Sequence, residues 1–192
     1  MTGRRCGMLL VSLFVLLAAR GGQAMSARHV FGSLDDDQRL QYNGVLNDHS
    51  IATAGSWEVH GVWTLSVKGN SGKADFSAAI TMERADLWFV TTPNPPADPN
   101  SLAARNAHTH HISLNDGLVA PILNGFRVSG PVTLTGNGAT PPFGTSSTIQ
   151  VDITGGNLVA QSNINVTFFG DAVKHFGAQP YAGVVSGIKK IE

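Results

Sequence analysis

Seven histidines are spread over the 192 residues, and three of them fall within four positions, in His108-Thr109-His110-His111. In an extended strand, residues of equal parity share a face, so His108 and His110 point the same way as Ile112 and Leu114. His111 then points to the other side, with Thr109 and Ser113. Two imidazoles at i and i+2 on an apolar face are placed to offer neutral nitrogen donors to a metal ion, which needs them within about 2.0–2.1 Å. A strand holds such a pair rigidly. A third ligand must come from elsewhere, and His60 and His175 are the candidates, with Glu58 and Asp75 as carboxylate reserves. The single cysteine is Cys6, near the N-terminus, so imidazole and carboxylate are the strong ligands left for zinc or copper.

Three protein ligands plus water would permit Lewis-acid hydrolysis or hydration, whereas four would make the site structural. The same histidines have a plainer use, in hydrogen bonding or as a pH-responsive surface. No motif places a general base, and no catalytic residue is assigned. The chain has no nucleophile elbow, phosphate-binding glycine loop, HExxH helix or dinucleotide fingerprint.

The elements that must position these side chains read as strands. From Trp57 to Lys68, the residues Trp57, Val59, Gly61, Trp63, Leu65 and Val67 occupy one parity and mostly polar residues the other. Period two predicts a half-buried strand. His60 lies on the polar parity with Glu58, Thr64, Ser66 and Lys68, so it joins the pair only if that parity lines an interior. Residues 69–72 are a turn, and Lys73 to Arg84 alternates again, which predicts a long hairpin. Further strands are expected at 87–91, 108–114, 118–123 with a break at Pro121, 126–135, 148–154, 158–169 and 181–188. Proline-bearing connections separate them at 92–100 and 136–144. His175 falls in an expected loop, 174–177. Trp57, Trp63, Phe76, Phe168 and Phe169 are expected in the core rather than lining a ligand pocket. The expected fold is all-β, an antiparallel β-barrel or β-sandwich of about 8–10 strands, with no long helix.

The chain opens with Arg4 and Arg5, an apolar run from Met8 to Ala19, and the small residues Gly22 and Ala24. That pattern predicts a signal peptide over 1–24, cleaved after Ala24, and a secreted or periplasmic protein. The apolar run is shorter than the roughly 20 residues that span a bilayer, so no transmembrane anchor is expected after cleavage. Cleavage would remove Cys6, Arg4, Arg5 and Arg20. Lys+Arg then falls from 13 to 10 while Asp+Glu stays at 13, a net charge of −3. Without a basic run, the surface that neutralises phosphates is missing, and no nucleic-acid partner is expected. Residues 25–56 are read as a polar N-terminal segment with a short helix through Leu34, Leu40 and Tyr42, and 57–192 as a single β domain. Its size permits one hydrophobic core without disulfides.

Gly61-Val62-Trp63 resembles the GxW signature of the first lipocalin strand. That resemblance implies a barrel binding a small apolar ligand at its mouth. His108-Thr109-His110 resembles the paired strand histidines of cupins, carbonic anhydrases and copper/zinc superoxide dismutases, from which no residue roles are carried over. More broadly the chain resembles a bacterial secreted β-protein family without an assigned mechanism. The alternative to a metal protein is therefore a non-catalytic binding module for a small apolar ligand or a protein partner.

Overall fold

The computed structural model describes residues 37–52, 55–69, 71–85, 107–136, 146–155 and 162–192. The expected signal peptide, the strand at 87–91 and the proline-bearing connection at 92–100 lie outside these residues, as does 137–144 of the second connection. Among the described residues no helix is long and apolar enough to cross a membrane.

The strands are β1 (Arg39–Ala52), β2 (Gly55–Lys68), β3 (Lys73–Arg84), β4 (His108–Ile122), β5 (Gly125–Pro131), β6 (Thr133–Gly136), β7 (Ser147–Thr154), β8 (Asn163–Gly170) and β9 (Tyr181–Ile191). A single helical turn, α1 (Val173–Phe176), stands between β8 and β9. Each strand pairs antiparallel with its neighbours in the order β3-β2-β1-β9-β8-β7-β5-β4, and a β3–β4 ladder joins the two ends. The sheet is thus a closed eight-stranded barrel, with β6 as an extra strand against β4. Closure decides between the two expected architectures, and it leaves no free edge among those eight strands.

Alternation puts one parity of each strand inside. Val59, Leu65, Val67, Phe76, Ile80, Leu114, Phe126, Val151 and Val166 are buried, and Tyr42 meets Phe126 with ring centroids 5.5 Å apart. An eight-stranded barrel is just wide enough for side chains to fill it, and here large apolar groups do so. The polar parity of β2 and β3 faces outward.

Expectations change at several places, and Phe169, expected in the core, is instead 43% exposed on the outer face of β8. The short helix through Leu40 and Tyr42 is not formed: both residues lie in β1, with Tyr42 fully buried, because Leu40, Tyr42, Gly44 and Leu46 supply a period of two. Pro121 does not break its strand. It lies at the far end of β4, one residue before the last. The run 126–135 divides at Val132, where the chain leaves β7 and continues as β6 against β4 alone.

Parity along β4 also changes once. Asn115 and Asp116 stand opposite Asp75 as a bulge, with Asp116 at φ 53°, so the inward residues before it are even-numbered and those after it odd. His108 and His110 precede the bulge.

β1 and β9 close the barrel through a register shift at Asn43/Gly44. A Cβ on Gly44 would collide with the Val184 carbonyl and stand 2.8 Å from the Trp63 ring. Gly44→Ala is accordingly expected to lower stability by about 1–3 kcal/mol, as overpacking does. Chemical denaturation measures it, and an unchanged midpoint would contradict this account of the seam.

Candidate metal centre

His108 and His110 are carried on the inward parity of β4, at the barrel rim where β1 and β3 end and β9 begins. His175 comes from α1, which closes on itself through Phe176 N–H to Ala172 O (2.9 Å) and Gly177 N–H to Val173 O (2.8 Å). Gly177 ends the turn at φ 83°, a conformation that favours glycine, and a Cβ there would stand 2.7 Å from the Ile51 carbonyl oxygen.

The turn is tied to the barrel by its last carbonyl. Phe176 O accepts hydrogen bonds from Ser50 Oγ and from Tyr181 Oη, each at 2.6 Å and both buried. Burial pushes the Tyr181 phenol above its ordinary range, so it stays a donor. The Phe176 ring stacks on Phe168 with centroids 4.1 Å apart. These contacts fix the backbone next to His175 and therefore where its imidazole can reach.

The three imidazoles meet at their Nε2 atoms. His175 Nε2 lies 3.1 Å from His108 Nε2 and 2.9 Å from His110 Nε2, and one ligand atom from each residue falls within 4.8 Å of the others. A neutral ring nitrogen offers either one proton or one lone pair. His175 Nε2 can therefore serve one of these short contacts well and not both. A cation at the common point would accept a lone pair from all three. In a tetrahedral site with bonds of about 2.0–2.1 Å, ligand atoms stand about 3.3 Å apart, a small expansion of the two contacts that His175 Nε2 makes.

The surroundings favour the neutral, metal-competent form. His110 is 4% exposed, and burial, together with His175 and His108 beside it, lowers its pKa from 6.5 to about 4. Burial and His108 lower the His175 pKa to about 4 as well. Trp57 stands edge-on to His108 (centroids 5.1 Å) and 5.9 Å from His175, while Phe176 packs against His110 at 5.0 Å.

The other candidates are elsewhere. His60 projects outward from β2, its side chain 51% exposed and 4.0 Å from Glu58, which also faces out. It cannot reach the pair because the polar parity of β2 faces water. His111 is exposed on the outer face of β4. Asp75 is at the opposite rim, accepting from Asp116 N–H at 2.9 Å and pairing with Lys68 at 2.9 Å. Ser50 and Tyr181 were not among the sequence candidates. Ser50 acts across 126 residues of chain, and no local pattern carries such a contact.

Compared with known proteins, the chain matches no family model, no curated protein and no solved structure.

Protonating the cluster should oppose folding. The unfolded histidines take up protons near pH 6.5, whereas folded His110 and His175 take them up only near pH 4. The stability they contribute is complete above pH 6.5 and is lost as the pH falls through that window. Metal-free protein in a chelator should show a urea midpoint that drops from pH 7 to pH 4.5, more steeply than in His110→Gln. Equal slopes for the two proteins would contradict the assignment.

Proposed function

We propose that the protein is an exported, secreted or periplasmic β-barrel that binds one zinc or copper ion through His108, His110 and His175. The fourth position is left to an exogenous ligand. The observation that carries this reading is the convergence of three Nε2 atoms, with His175 Nε2 at hydrogen-bond distance from both others. Donor chemistry agrees: neutral imidazoles suit zinc and copper, and depressed pKa values keep His110 and His175 unprotonated at neutral pH. Three protein ligands with an open position are the arrangement used for metal-assisted hydrolysis or hydration, the activity class this reading points to.

A second reading, a surface that engages another protein, has one observation in its favour. Val45, Val62 and Val184 form an outward row across adjacent strands and are 42%, 61% and 49% exposed. An apolar ligand inside the barrel draws no such support, because inward-facing core side chains fill it.

Metal analysis of the exported protein after dialysis against a weak chelator tests the first reading, with intact mass checking that the chain starts at Met25. The wild type should hold one zinc or copper per chain. The His108→Ala/His110→Ala double variant and His175→Ala should lose it, while His60→Ala and His111→Ala keep it. Full metal content in the double variant would end the proposal.

A further inference from the structure

The ligand set of this centre is uncharged, and that restricts what can complete it. Three neutral imidazoles leave a divalent ion with its whole charge of about +2. Among the described residues, the metal-ligating cluster contains no carboxylate. Of the described carboxylates near this rim, Asp48 accepts from the backbone N–H groups of His49 (2.7 Å) and Ala182 (2.6 Å), Asp171 accepts from Ser146 Oγ (3.4 Å), and Glu58 faces outward beside His60. The charged group packed on Trp57 is the Arg84 guanidinium, 5.3 Å from the ring centroid and itself positive. Among the described residues, the Trp57 and Phe176 rings also pack against the cluster. A charge enclosed by such groups is strongly unfavourable unless a counter-charge accompanies it.

A second observation, on a ring that packs against the cluster, points to an acceptor. Trp57 is 2% exposed, its indole Nε1–H has no hydrogen-bond partner among the described residues, and its ring touches two of the three ligands. A buried donor left unsatisfied is costly, and a ligand able to accept from it would relieve that cost.

We propose that the fourth position of the metal centre takes a small monovalent anion, hydroxide or an exogenous one, held by the metal and by the Trp57 indole N–H. The proposal rests on the three-histidine metal reading. It makes Trp57 a positioning residue and assigns the centre a ligand class, small anions, in place of neutral or cationic molecules.

The test uses the full chain loaded with cobalt(II), whose visible bands report coordination, and sodium azide as the anion. Wild-type protein holding one cobalt per chain should change its bands on azide addition and saturate at one azide. Trp57→Phe should keep its cobalt but bind azide at least about tenfold more weakly, the loss expected for one hydrogen bond to a charged group. Trp63→Phe removes the other unpartnered buried indole N–H among the described residues, on a ring that stacks on Phe76, and should leave azide affinity unchanged. Should Trp57→Phe fail to fold, the Trp57 Nε1–H resonance of zinc-loaded wild type replaces it, and azide should shift that resonance but not the one from Trp63. Cobalt bound one per chain with bands indifferent to azide would overturn the anion site. Equal azide affinity in Trp57→Phe, or an unmoved Trp57 resonance, would overturn the role of the indole. Absence of bound cobalt in the wild type would overturn the underlying metal reading instead.

Discussion

The ladders between β1 and β9 and between β3 and β4 together turn a sheet into a barrel, and the chemistry of the molecule follows from that closure. Once the sheet is closed there is one interior, and every inward-facing side chain must share it. Tyr42, Phe76, Phe126 and the aliphatic residues around them fill the middle, so polar groups on the inward parity are tolerated only near a rim. His108 and His110 are inward-facing and next to a rim. Closure therefore gives both a fixed direction, and gives His110 the burial that lowers its pKa. Had the same strand been half of an open sheet with a wet face, the i, i+2 pair would have had ordinary solvated imidazoles and no constraint on where a third could come from.

The third imidazole is supplied by an element that a barrel does not need in order to close. α1 is four residues long, too short to be stable alone, and it holds its place through tertiary contacts. The Phe176 carbonyl receives two buried hydroxyls, and the Phe176 ring is stacked on Phe168. Those hydroxyls belong to Ser50 near the end of β1 and Tyr181 at the start of β9, the two strands that close the barrel. Closure and the histidine cluster thus share residues, so loosening the β1–β9 seam should be felt at His175 before it is felt in the middle of the core. Groups that orient a ligand in this way commonly matter to affinity almost as much as the ligand itself.

Much of this was legible in the sequence, for identifiable reasons. Period-two alternation in Trp57–Lys68 and Lys73–Arg84 is a local signal and marks the first long hairpin, and the parity of His108 and His110 relative to Ile112 and Leu114 is equally local. Barrel or sandwich stayed open because closure depends on β1 meeting β9 and β3 meeting β4, which no stretch of chain records. β1 itself gives a weak sequence signal, that of a polar segment with a short helix: Gly44 has no side chain to show its inward position, and Ser50 is a buried polar residue on the core parity. His60 looked usable only while the facing of the polar parity of β2 was unknown. His175 looked undirected, because its direction is set by the clamp on Phe176 rather than by its neighbours in sequence.

The central claim is that three imidazoles converge on one ion through Nε2 atoms. X-ray absorption at the metal edge of the loaded protein tests it most directly. The account predicts a first shell of three imidazole nitrogens at about 2.0–2.1 Å, with the outer-shell scattering of histidine rings, and a fourth oxygen or nitrogen ligand from solvent or a small anion. A first shell dominated by oxygen, or one containing a single imidazole, would contradict it.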